Sequence, residues 1–136
     1  MLRPKQTKYK KYKKGRIKGT SFKNAKCSFG SFGLKACESG RVNARQIEAA
    51  RIAITRKIKR KGKLWIKVFP YMPVTGKPVE VRMGKGKGSV NYFVAPVKKG
   101  SLLYEVSGVS KEVAYLALKS GSNKLSLNTR IVSNTF

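Results

Sequence analysis

The segment Gly84-Lys85-Gly86-Lys87-Gly88 is built like a cradle for phosphate: its glycines let the backbone come close to a ligand and its lysines add point charge. It fits neither nucleotide-binding template. A P-loop needs Gly-Lys followed directly by Ser or Thr, whereas here the order is Lys87-Gly88-Ser89. A dinucleotide fingerprint runs from a strand into a helix, but residues 91–97 read as another strand. What remains is a basic loop that touches a nucleic-acid backbone, or a plain mobile hairpin tip. Catalysis has little to work with. His and Asp are absent, which excludes triads and His-based acid–base pairs, and the acids Glu38, Glu48, Glu80, Glu105 and Glu112 are scattered. Cys27 and Cys37 are too few for a four-ligand zinc site, so reduced thiols are expected and neither metal nor cofactor is. The residues point away from an enzyme.

The charge balance points to binding. Against 32 Lys and Arg stand 5 acids in 136 residues, a net charge of +27. A domain so charged repels itself without a polyanion, and each Lys or Arg docked on a phosphate releases condensed counterions. The first acid is Glu38; before it come Lys5, Lys8, Lys10, Lys11, Lys13, Lys14, Arg16 and Lys18, with Tyr9, Tyr12 and Phe22 between and after them. Such a run could be a solvated tail. The aromatics favour an arm that orders on RNA, with rings on bases and ammoniums on phosphates. A membrane surface is the weaker reading, because Pro4, Gly15 and Gly19 break the stretch and no apolar stripe opposes its charge. No run reaches the ~18 apolar residues of a membrane span, and the start has no apolar core of a secretory signal. A free-standing DNA-packaging protein would insert exposed apolar wedges, which the sequence does not make evident.

With a hydrophobic content of 40%, the chain can bury a small core. Asn43 with Gln46 forms a capping box, and Ile47, Ala50, Ile54 and Ile58 repeat at helical spacing. Gly62 is the expected stop. The other faces of this helix offer Arg45, Arg51, Arg56 and Arg60 to phosphates. Strands are expected at 64–69, ended by Pro70 and Pro73, and at 79–83, 91–97, 102–106 and 125–132. Ser110 should cap a second helix that buries Val113, Leu116 and Ala117 and stops at Gly121. Residues 27–40 read as turn-rich, with Phe29 and Phe32 as early core residues. Trp65 reads as core, and both it and Tyr104 could otherwise stack on bases. The fold class is α+β: a compact sandwich of antiparallel sheet and two helices, with a basic extended N-terminal arm. Residues 1–40 would be the RNA-binding arm and turn-rich entry, and 41–136 the folded domain.

Several blocks of the chain are familiar. The opening Met1-Leu2-Arg3-Pro4-Lys5-Gln6-Thr7-Lys8-Tyr9 with Lys14-Gly15-Arg16, and the helix Ala44-Arg45-Gln46-Ile47-Glu48-Ala49-Ala50-Arg51, resemble the bacterial-type large-subunit ribosomal protein L-sixteen family. So do Lys63-Leu64-Trp65-Ile66-Lys67-Val68-Phe69-Pro70, Val81-Arg82-Met83-Gly84-Lys85-Gly86-Lys87-Gly88-Ser89 and Leu103-Tyr104-Glu105. The resemblance is collinear over nearly the whole chain. It implies a late-assembling structural constituent of the large ribosomal subunit, bound to large-subunit rRNA and to neighbouring subunit proteins. It implies no homo-oligomer. It also implies that Arg82, Lys85, Gly86 and Lys87 lie closest to tRNA, near the aminoacyl site and the peptidyl-transferase centre. Lys13 stands where many bacterial members carry His, and Ser120-Gly121-Ser122-Asn123 departs from their Ala-rich helix end. Lys outnumbers Arg 23 to 9, which suggests an AT-rich genome. Together with the stretch from Gly33 to Arg41, this points to a mitochondrial ribosome, with bacterial cytoplasm and chloroplast as alternatives.

Overall fold

The computed structural model describes residues 2–23 and 25–134; Met1 of the opening motif, Asn24 and the last two residues of the 41–136 unit lie outside them. Seven strands and two helices follow one another as β1 (Phe32–Ala36), β2 (Gly40–Asn43), α1 (Ala44–Lys57), β3 (Lys63–Ile66), β4 (Met72–Gly76), β5 (Ser89–Val97), β6 (Leu102–Ser107), α2 (Lys111–Ser122) and β7 (Thr129–Ser133). They form a four-stranded sheet in the order β3-β6-β1-β7 and a three-stranded sheet in the order β2-β5-β4. Every pairing within these sheets is antiparallel. The fold class is α+β, as the alternation of short strands with two helices implies.

Helix α1 forms where its local signals agree. The Asn43 amide donates to Gln46 Oε1 at 2.9 Å, and Asn43 Oδ1 accepts from the Arg45 amide at 3.2 Å. Ile47, Ala50, Ile54 and Ile58 are all buried, and each fully buried isoleucine contributes about 2 kcal/mol. The helix ends earlier than the glycine suggests. Ile58 is its C-cap, and the reversal is made by Lys59 and Arg60, at φ 50° and 61°. Gly62 instead permits a close approach between segments, since a side chain there would lie 2.6 Å from the Ser107 carbonyl oxygen on β6.

Helix α2 turns a different face inward from the one expected. Ala114, Ala117, Leu118 and Gly121 are buried, while Val113 and Leu116 are exposed. Spacings of three and four residues fit this stripe, and its small members let α1 approach closely. A Cβ on Gly121 would stand 2.6 Å from Ile54 Cγ1, so Gly121 is a contact point inside the helix and not its stop. Asn123 is the C-cap.

The 27–40 stretch, read as turns, contains the inner strand β1 and the start of β2. Residues 79–83 form no strand. They fall within 77–88, the connection of a β4–β5 hairpin whose last pair is Gly76 with Ser89. Pro73 lies inside β4, paired with Phe93, and is tolerated because β4 is an edge strand. The last strand is shorter than 125–132; Leu125 and Leu127 pack against the core from the turn before it. Tyr104 is wholly buried and its hydroxyl donates to the Ile47 carbonyl at 2.8 Å, so it is no platform for bases. Burial first, and then the Glu48 charge, pushes its phenol far up.

Candidate nucleic-acid interface

The N-terminal arm has two sides. Lys5, Lys8, Lys10, Lys11, Lys13, Lys14, Arg16 and Lys18 are all exposed, whereas Leu2, Pro4, Thr7, Tyr12, Ile17 and Ser21 are half-buried. Leu2 reaches the hydrophobic core, and Arg3, Pro4, Lys5 and Thr7 line a cavity beside Phe93 of β5. The uncharged residues thus pack the arm against the body, while the cations stay exposed. Tyr9 keeps 58% of its surface exposed, with the Lys8 ammonium 5.6 Å from its ring centre and the Tyr12 ring edge-on at 6.0 Å.

The arm is tied down at successive points. Lys11 Nζ donates to the Lys87 carbonyl at 2.6 Å, and Lys87 Nζ donates back to the Tyr12 carbonyl. Arg41 on β2 donates through one guanidinium nitrogen to the carbonyls of Lys14 and Gly15, at 2.6 and 2.7 Å. Thr20 bridges to Lys99, and the Ser21 amide donates to the Lys99 carbonyl at 2.8 Å.

The last tie is the strongest. Glu105 on β6 is wholly buried, and its Oε2 accepts the amides of Ser28, Phe29 and Gly30 at 3.1, 2.7 and 2.8 Å. Its Oε1 has no hydrogen bond among the described residues, but forms an ion pair with Lys67 Nζ at 3.3 Å. Burial alone would raise this carboxyl; the three amides and the ammonium outweigh it and hold it below the ordinary carboxylate range. Lys67 also sits 4.4 Å from the ring centre of Phe29, which stacks on Trp65 at 6.1 Å. Phe29 is therefore 62% exposed, a cover for Trp65 and not a core residue. The thiol of Cys27 is pushed up, by burial first and by the Glu105 charge second.

The loop 77–88 carries Arg82, Lys85, Gly86 and Lys87 at the surface. Gly84, Lys85 and Gly86 all have positive φ, at 89°, 55° and 84°, and Lys77 Nζ donates across the loop to the Gly84 carbonyl. Val79 and Met83 are almost completely exposed, at 103% and 94%, so apolar groups that could wedge between bases are present after all. Arg45 and Arg56 on α1 and Arg60 just beyond it are exposed, but Arg51 is held by Glu48 at 2.6 and 3.0 Å. That hydrogen bond also lowers the Glu48 carboxyl.

Arm and loop are thus brought together, while among the described residues neither Arg56 nor Arg60 has a side-chain hydrogen bond to them. Arg56 lies at the opposite end of the 14-residue α1 from Asn43, roughly 20 Å away, and Arg60 follows its C-cap. Two residues that fasten the arm, Arg41 and Glu105, were not among the expected site residues. Nothing local to Arg41 marks it, but a lone Glu inside the apolar run Leu102–Ser107 is a signal that could have been read as a buried acceptor. Among the described residues no group of His, Cys, Asp and Glu could hold a metal. Glu38 accepts the Asn128 amide at 2.7 Å, which with Glu48 and Glu105 gives three of the five acids structural partners.

Residues 4–132 match the family described as ribosomal protein L16p/L10e. Similar proteins include the large ribosomal subunit protein uL16 of Rhizobium etli strain CIAT 652, 61% identical over 97% of this chain and 96% of its own length. The protein of the same name from Sinorhizobium medicae is 60% identical over the same shares, and that from Agrobacterium fabrum 58%.

Proposed function

The chain belongs to the ribosomal protein L16p/L10e family, and from that premise we propose that it is a structural constituent of the large ribosomal subunit that binds large-subunit rRNA and helps position tRNA. The observation that carries the reading is the two-sided arm, with every cation from Lys5 to Lys18 exposed on a backbone fastened to the body. Side chains so placed can neutralise a phosphate backbone without unfolding anything. Neighbouring subunit proteins are further partners, and the chemistry at the site is non-covalent. The relatives named above are rhizobial, which favours a bacterial large subunit over the mitochondrial one suggested by composition.

The test is sedimentation of a native lysate at moderate and then high salt, probing each fraction for the chain. Retention in the large subunit through the high-salt wash is expected, since loosely held polycations wash off steeply. Release to the top of the gradient, or migration with DNA, would overturn the reading.

The loop 77–88 is proposed to lie closest to tRNA, near the aminoacyl site and the peptidyl-transferase centre. Arg82 is exposed, so Arg82→Ala should change thermal stability by less than about 0.5 kcal/mol. Subunits carrying it should accommodate aminoacyl-tRNA more slowly. Unaltered accommodation with unaltered stability would remove the loop's assigned role.

A further inference from the structure

We propose that the groove between the end of α1 and the start of α2 is a protein-docking surface. Its occupant is an acidic segment of a neighbouring large-subunit protein, which sets an apolar side chain into the groove. The proposal rests on the ribosomal reading for where that partner is found, but uses neither the arm nor the glycine-lysine loop.

The groove is an open cavity of about 410 Å³. Ile58, Val109 and Val113 supply apolar lining, and Lys57, Lys59 and Lys61 supply charge. Val113 is 37% exposed, and Leu116, one turn further along the same face of α2, is 60% exposed. Because the small-residue stripe of α2 is the one that turns inward, these two larger side chains are left outside. Apolar side chains gathered at one cavity mark an interaction surface.

The charge says what kind of partner fits. All three lysines are exposed, and none has an ion pair among the described residues. Glu112, the only acid on α2, does not line the cavity. Lys59 stands at φ 50°, where glycine would sit without steric cost, so the groove keeps a charged side chain against the backbone's preference. A second copy of the chain is a poor occupant, since it would bring the same lysines and a further +27. A phosphate backbone would match the lysines but would set Val113 and Leu116 against polar sugar and phosphate. An acidic polypeptide segment carrying an apolar side chain answers both features at once.

To test this, Leu116 is replaced by photoreactive benzoylphenylalanine in the full chain, and large subunits are purified and irradiated. A cross-link to another subunit protein is expected, within a segment that has net negative charge and an apolar residue. That segment, made as a synthetic peptide, should bind the isolated chain. Leu116→Ala should weaken this binding about tenfold, and Lys59→Gly and Lys61→Ala about threefold each. Lys59→Gly should melt no lower than the unsubstituted chain, because glycine relieves the left-handed backbone, so its weaker binding is not a loss of fold. A cross-link to rRNA, no cross-link in assembled subunits, or a captured segment without acidic charge would overturn the proposal. So would peptide binding that none of the three changes weakens. Absence of the chain from large subunits is read separately, from the gradient, and would sink the ribosomal reading and the choice of partner with it.

Discussion

Glu105→Ala is expected to lower the stability of the isolated protein by about 3–5 kcal/mol, the usual result of leaving a buried partner charge and its amides unmatched. The carboxylate accepts three successive backbone amides and neutralises Lys67, and it does so with no exposed surface. Glu105→Gln keeps an acceptor but not the charge, and should lose about 1–3 kcal/mol. Urea unfolding at neutral pH measures both. A loss under about 1 kcal/mol for the alanine variant would mean that water replaces the carboxylate freely. The pH dependence has a definite sign. The folded carboxyl is depressed, so its contribution is complete above the unfolded value, near ~4.3, and disappears as pH falls from there through the lower folded value. The acid limb of the stability curve should flatten in Glu105→Gln. It should persist in Glu48→Gln, whose carboxyl is also lowered but lies on the surface in an exposed ion pair.

Replacing Lys8, Lys10, Lys11, Lys13 and Lys14 together by alanine is expected to weaken binding to large-subunit rRNA by roughly 10⁴-fold at 0.1 M salt, and to lower the log–log salt slope by about four. Stability should hold or rise slightly, because every one of these side chains is exposed and the substitutions relieve like-charge repulsion. The tie from Lys11 to the Lys87 carbonyl is lost, but Leu2, Pro4, Tyr12 and Arg41, which also hold the arm, are left in place. Filter binding over a range of salt concentrations reads both quantities. A slope that does not move would show that the arm's cations never meet phosphate.

Helix α1 was legible because two independent local signals coincide: the Asn43–Gln46 cap and the isoleucine stripe. Its end was not, because Lys59 and Arg60 take the left-handed conformation that glycine usually supplies. Residues 79–83 alternate like a strand, yet β4 and β5 pair only up to Gly76 and Ser89, and among the described residues no other strand receives them. β1 was hidden for the opposite reason. Its Phe-Gly-Leu-Lys-Ala is short and glycine-bearing, and it is a strand only because β6 and β7 flank it. In the site, composition gave away the cations and the loop. The fastening of the arm was invisible because Arg41 meets it 26 and 27 residues back, and Glu105 meets it across 75 to 77 residues. Contacts of that range leave no trace in a local pattern.

The position of β1 also bears on how the molecule comes into being. Phe32 pairs with Val106 on one side and with Ser133 on the other, almost the last described residue. A nascent chain emerges N-terminus first, so β1 must wait until β6 and then β7 have been made before both its edges are paired. The sheet cannot zip up progressively, and loop closures of this length slow folding further. In that interval apolar strands are bare, the condition under which chains aggregate. The same surplus of positive charge that seeks RNA keeps the unfinished copies apart until β7 arrives.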